Sequence, residues 1–104
     1  MRFYIGLDWA DAEHAVWVED ENATKIVGRI VPHTAEGLSE WGRWLDERRA
    51  EGIELWAAIE KPEGRIVAEP DAIHVLNAPS PAATASLAIG RHIAELAAET
   101  FSLG

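Results

Sequence analysis

Two acidic residues stand where a carboxylate could do chemistry. Asp8 closes the strand-forming run Arg2-Phe3-Tyr4-Ile5-Gly6-Leu7, and Glu60 closes a second apolar run, Ile53 to Ile59. If these runs lie side by side and parallel, both carboxylates end at one edge of a sheet. Paired carboxylates with open coordination positions suit Mg2+ or Mn2+. Two such ions can orient an attacking oxygen and stabilise the leaving oxygen of a phosphodiester. That arrangement predicts the Asp8 and Glu60 carboxylates roughly 4–8 Å apart, the span of one shared ion or a metal pair. The bland alternatives are a turn residue after a strand for Asp8 and an exposed carboxylate before Lys61-Pro62 for Glu60. Asp11 reads as a surface or turn residue.

Other chemistries find little support. The histidines at 14, 33, 74 and 92 show neither His-x-x-x-His nor Glu-x-x-His spacing, and the chain has no cysteine, so a zinc site is not expected. Ser80, Ser86 and Ser102 have no nucleophile motif around them. Glu95 and Glu99 share a helix face without a motif that assigns them a role, and Glu19-Asp20-Glu21 reads as a solvated turn.

The elements that must position Asp8 and Glu60 follow from periodicity. Arg2–Asp8, His14–Val18 and Lys25–Val31 read as three strands joined by short turns, an antiparallel meander, with Gly28 as a candidate bulge. Thr34 then caps a helix, and Glu36 favours its first turn. Leu38, Trp41 and Leu45, with Trp44 beside them, form its apolar face, and Gly52 stops it. Ile53–Ile59 follows as a strand covered on both faces. Trp41, Leu45 and Trp56 are expected between this helix and the sheet. Gly64–Glu69 starts a helix that Pro70 breaks, Ile73–Leu76 is a short strand, and Asn77–Pro81 is a loop. Ala82–Phe101 is helical, with Leu87, Ile89, Ile93, Leu96 and Phe101 as its apolar points. The fold class is α/β: a mixed sheet of three antiparallel strands, then a helix, a parallel strand and a C-terminal helix, in the order of an incomplete ribonuclease H-like fold.

The local wording adds a resemblance. Tyr4-Ile5-Gly6-Leu7-Asp8-Trp9-Ala10-Asp11 with His14, Val31-Pro32-His33-Thr34-Ala35-Glu36-Gly37-Leu38, and Ala58-Ile59-Glu60-Lys61-Pro62 with Gly64 occur in that order. Together they resemble the N-terminal RuvC-like DEDD domain of bacterial insertion-sequence transposases, the bridge-RNA-guided recombinase group. The resemblance divides the chain into residues 1–67, a RuvC-like transposase N-terminal region, and residues 68–104, a divergent Ala-rich tail of loop plus helix. It implies that Asp8 and Glu60 are metal-binding catalytic carboxylates for Mg2+ or Mn2+. It implies DNA and a guide RNA as partners of the full-length family, and is compatible with a homo-oligomer. The family's two further aspartates, in a Ser-Asp-x-x-Asp-Ala-like context, have no counterpart here, because Asp71 is the only Asp after Glu60. The family's C-terminal domain with its serine nucleophile has no counterpart either. The resemblance therefore implies a truncated, frameshifted or decayed copy, inactive alone.

Charge limits what the chain can hold by itself. Its 104 residues fit one small domain with a net charge of −9, and residues 1–50 carry 10 acids against 6 bases, residues 51–104 8 against 3. Neither half offers the basic face that nucleic-acid binding usually needs. No apolar run is long enough for a membrane span, no secretory signal opens the chain, and the lack of cysteine is consistent with a cytoplasmic protein. Two other functions stay open. One is a catalytically dead remnant that only folds or binds a partner. The other is an actin-like sugar kinase-type ATPase, disfavoured because Trp9, Ala10 and Asp11 follow the Asp where phosphate needs small, uncharged neighbours.

Overall fold

Alternation along the first strand sets the layers. A computed structural model describes residues 1–60, 66–70 and 85–101, with the side chains at 60, 66–70 and 99–101 outside that description. Its elements are β1 (Arg2–Trp9), β2 (Glu13–Asp20), β3 (Lys25–Pro32), α1 (Ala35–Ala50), β4 (Glu54–Glu60), β5 (Ile66–Pro70) and α2 (Leu87–Phe101). Phe3, Ile5 and Leu7 point to one face of β1, and Tyr4, Gly6 and Asp8 take the other, as the two-residue period of a strand requires. Both faces are covered, so β1 is the central strand.

The sheet is mixed, in the order β3-β2-β1-β4-β5. β1 pairs antiparallel with β2, and β2 antiparallel with β3. β4 lies parallel to β1, in a register that runs from Arg2 opposite Glu54 to Leu7 opposite Ile59. Parallel neighbours need a long crossover, and α1 supplies it. Thr34 caps α1 by accepting the Gly37 N–H at 3.0 Å. At its other end Gly52 takes φ +84°, and the Ile53 N–H reaches back to the Arg48 carbonyl at 3.2 Å. On the α1 side Phe3, Ile5, Leu7, Val16, Val18 and Leu55 pack with Trp41 and Leu45.

The opposite face is closed by α2, through small residues. A Cβ on Gly6 would lie 2.0 Å from the Gly90 carbonyl oxygen and 2.5 Å from the Ala94 nitrogen. The missing side chain lets the helix backbone rest on the strand. Among the described side chains of α2 the buried positions are Gly90, Ile93, Ala94 and Ala97, while Ile89 is 49% exposed.

Several sequence expectations need correction. Ile66–Pro70 is a strand, paired antiparallel with β4, where a helix start was expected at Gly64–Glu69. The free edge of β4 offers it hydrogen-bond partners, and Pro70 is tolerated at its end because an edge strand can spare that donor. The sheet irregularity falls between Val18 and Glu19, opposite Lys25 and Val27, and not at Gly28. Gly28 instead makes room for the Trp17 indole, which a Cβ would meet at 2.8 Å. Trp56 sits in register with Tyr4, on the α2 face, and Leu55 takes the place expected for it under α1. The expected strand Ile73–Leu76 and loop Asn77–Pro81 lie outside the described residues. Among those described, no helix is long and apolar enough to cross a membrane.

Two substitutions test these contacts. Trp41→Ala should cost about 3 kcal/mol in urea unfolding, the lower end of the range for a buried Trp. Its indole N–H is buried without a partner among the described residues, so the native side chain already carries a penalty. Gly6→Ala should cost more than the ~1–3 kcal/mol of ordinary overpacking, because the new methyl meets backbone. Amide exchange should show the loss concentrated in α2.

Candidate functional site

The site lies at the C-terminal ends of β1 and β4. Asp8 pairs with Ala15 of β2, on the α2 face. Its Oδ2 accepts the backbone N–H of Ser86 at 2.7 Å. Ser86 immediately precedes α2, and its Oγ accepts the Ile89 N–H at 3.3 Å, so it caps the helix. Asp8 is therefore bonded to the amide at the positive end of a helix.

Glu60 is the last residue of β4. Leu7 is opposite Ile59, so Asp8 and Glu60 are the next register positions along two neighbouring parallel strands. The Glu60 side chain, and with it the expected carboxylate separation, lies outside the described residues. Among the described residues no three His, Asp or Glu side chains form a group that could hold a metal ion. Asp11 is exposed, Glu95 is ion-paired to Arg91 at 2.8 Å, and Asp71 lies outside the described residues.

A histidine cluster locks the strand end beside Asp8. The β1–β2 hairpin sets Trp9 opposite His14, and their rings stack at 3.4 Å between centroids, tilted by 14°. His14 is 1% exposed. Its Nδ1 accepts the Ala10 N–H at 3.2 Å, so the neutral ring carries its proton on Nε2. That proton points at Nδ1 of His33, 2.8 Å away. Burial, and then the neighbouring His33, lower the His14 pKa to about 4. Spacing rules for metal ligands could not reveal this cluster. The usable signal was two strand-like runs joined by a short turn, which must bring Trp9 and His14 face to face.

Glu19 departs from its reading as part of a solvated turn. It is 3% exposed, its Oε1 accepts the Trp17 indole N–H at 2.9 Å, and its Oε2 has no partner among the described residues. Burial pushes its pKa up. Asp20 makes the turn itself, its Oδ1 accepting the N–H groups of Asn22 and Thr24. On the other face of the sheet a cavity of about 210 Å³ opens under α1, walled by Leu7, His14, Val16, Leu38, Trp41 and Leu45. Both ring nitrogens of His14 are engaged, so this cavity is apolar in character and separate from Asp8.

Comparison with known proteins gives one substantial similarity. Over 66 residues, 62% of the chain, it is 41% identical to a Sinorhizobium fredii protein described as "Putative transposase y4uE". That stretch is 18% of the relative, so the chain spans about a fifth of its length. The chain thus contains a transposase-related region. A second match, 68% identical over 31 residues, is to the mitochondrial L-2-hydroxyglutarate dehydrogenase of Nematostella vectensis, and covers 30% of this chain and 7% of that one. No family model matches, and no solved structure matches.

The His14 cluster generates a pH prediction. His14 is neutral when folded and takes a proton near pH 6.5 when unfolded. The unfolded state therefore binds more protons below that pH. Stability should fall as pH drops from about 6.5 to about 4, then level off, with a total effect on the order of 3 kcal/mol. Urea unfolding of the native chain against His14→Phe isolates this part from carboxylate titration. The variant should show a shallower pH slope in that window.

Proposed function

We propose that this chain is the N-terminal part of a RuvC-like DEDD transposase of the bacterial insertion-sequence kind, and that it does not cut or join DNA alone. The observation that carries the reading is the register of Asp8 and Glu60 at the ends of adjacent parallel strands. The strand order, with an antiparallel meander and a parallel β4 beside β1, fits a ribonuclease H-like sheet. The 41% identity to a transposase over 66 residues supports the same origin.

Phosphodiester chemistry of this kind rests on Mg2+ or Mn2+ held by several carboxylates. Asp8 and Glu60 are half of the set that the resembling family uses. One Asp8 oxygen is already hydrogen-bonded to Ser86, and no fuller cluster exists among the described residues. The residues at hand thus fit a weak ion site at best, and no reaction step is assigned to it. DNA and a guide RNA are partners of the whole protein in this reading, since a chain of net charge −9 provides few cationic contacts to phosphate.

One observation favours the remnant reading, in which the chain only folds: the use of Asp8 as a partner for α2. The sugar kinase reading loses ground for a related reason. The Ala10 N–H, which would have to face phosphate, is committed to His14, and Trp9 is stacked on the same ring.

The test has two parts. The chain incubated with supercoiled DNA and Mn2+ should nick no more than Asp8→Asn does. Nicking that disappears in that variant would overturn the inactivity. Residues 1–60 should also replace the matching stretch of an active DEDD transposase. The chimera should keep metal-dependent cleavage and lose it on Asp8→Asn. A folded chimera with no cleavage counts against the transposase reading.

A further inference from the structure

We propose that this chain is a composite of two unrelated stretches. Residues up to about 67 are of transposase origin, and the tail that carries α2 is of L-2-hydroxyglutarate dehydrogenase origin, so that a guest helix closes the sheet around Gly6. The first half rests on the transposase reading given above; the assignment of the tail does not.

The two similarities divide the chain between them. The transposase-like wording runs from Tyr4 to Gly64. The dehydrogenase similarity spans 31 residues at 68% identity, against 41% for the transposase over its 66. A stretch of 31 residues clear of that wording lies within 65–104, and wherever it begins there it includes residues 74–95. Those residues hold Ser86, Gly90, Ile93 and Ala94, which carry contacts of α2 with the sheet. Composition changes at the same point. All five tryptophans lie at or before residue 56, and the Ala-rich run lies after residue 67.

The packing explains how a helix of foreign origin can sit there. Among the described residues, the core on the α1 side is built from α1 and the strands β1 to β4 and takes no residue from α2. The helix adds a second, smaller cluster, Ile93 and Ala97 against Ala58. Gly90, Ala94 and Ala97 stand at i, i+4 and i+7, on one face of α2. Such a face asks little of the sheet beyond the space that Gly6 leaves. The polar ties are the Ser86 N–H to Asp8 and Arg91 over the Trp17 ring at 5.6 Å. The partner that this surface fits is a helix with Gly or Ala at three such positions, and in this chain the tail supplies it.

Three measurements test this. The first is native-state amide exchange of the full chain in rising urea. A guest helix on a sheet with its own core opens without that sheet, so α2 amides should exchange at least roughly tenfold faster than those of Ile5, Leu7 and Val16. Identical exchange of helix and strands at every urea concentration overturns the guest role. Gly90→Leu should remove the protection of α2 and leave β2, β3 and α1 protected; loss of the whole fold overturns the guest role too. A Cβ at Gly90 meets the Ala15 carbonyl oxygen at 3.4 Å, an ordinary contact, so Gly90→Ala should keep the helix docked. The second measurement swaps residues 74–95 for the matching residues of the Nematostella vectensis dehydrogenase. Exchange of α2 amides should stay within about threefold of the native chain, the range for substitutions away from a contact. An undocked helix in the swapped chain overturns the assignment of the tail. The third reads coding DNA. In a related genome without the transposase stretch, the codons for residues 74–95 should continue upstream into a dehydrogenase gene. Transposase codons in that place overturn the composite. None of these measurements uses DNA cleavage, so failure here is distinct from failure of the chimera to cleave.

Discussion

Gly6 has no Cβ, and the backbone of α2 fills the space where one would be. Much of the molecule follows from that contact. Because helix and strand meet through main chain, the buried positions of α2 among its described side chains are Gly90, Ala94 and Ala97, together with Ile93. The same close approach fixes the height of the helix over β1, and so brings the Ser86 amide to Asp8. On the other face the same strand presents Phe3, Ile5 and Leu7, and there α1 stands off on large side chains. One strand thus meets a thick layer and a thin one, and the thin one holds the candidate site.

The site end of the sheet is held by polar contacts that leave few groups free. Ala10 donates to His14, His14 meets His33, and the His33 N–H reaches the Ala12 carbonyl at 3.0 Å. These bonds tie the β1–β2 turn to the segment entering α1. Asp8 lies just before this clamp, so its backbone is fixed whether or not its carboxylate ligates anything. The strand end is thus rigid, with one oxygen of the Asp8 carboxylate engaged by Ser86.

Much of this was legible in the sequence, for identifiable reasons. The meander and α1 were marked by alternation, by Thr34 as a cap and by Gly52, whose positive φ bears out its place as the helix stop. The neighbouring strand-end positions of Asp8 and Glu60 followed from the order of elements. What was missed shares a pattern. On α2 Ile93 is buried as expected, but Ile89 is exposed, and Gly90, Ala94 and Ala97 were overlooked because glycine and alanine give no hydrophobic periodicity. Trp56 was placed on the wrong side because a run apolar on both faces, IELWAAI, does not reveal which parity faces α1. β5 was obscured by Pro70, whose effect depends on whether its strand is an edge. The Asp8–Ser86 bond spans 78 positions, and nothing local announces it.

The parallel pairing of β1 with β4 also has a consequence for how the chain matures. β1 is translated before the other described elements, yet only the β2 hairpin can reach it early. Its other edge waits for β4, and its two faces wait for α1 and α2, residues 35–50 and 87–101. Synthesis runs at about 5–20 residues per second, so the interval is several seconds. During it a nascent strand carrying Phe3, Ile5 and Leu7 is open along one edge. Such an edge is the kind of surface that pairs with the wrong chain. The central strand that ends at Asp8 is thus also a segment that stays open while its partners are still being made.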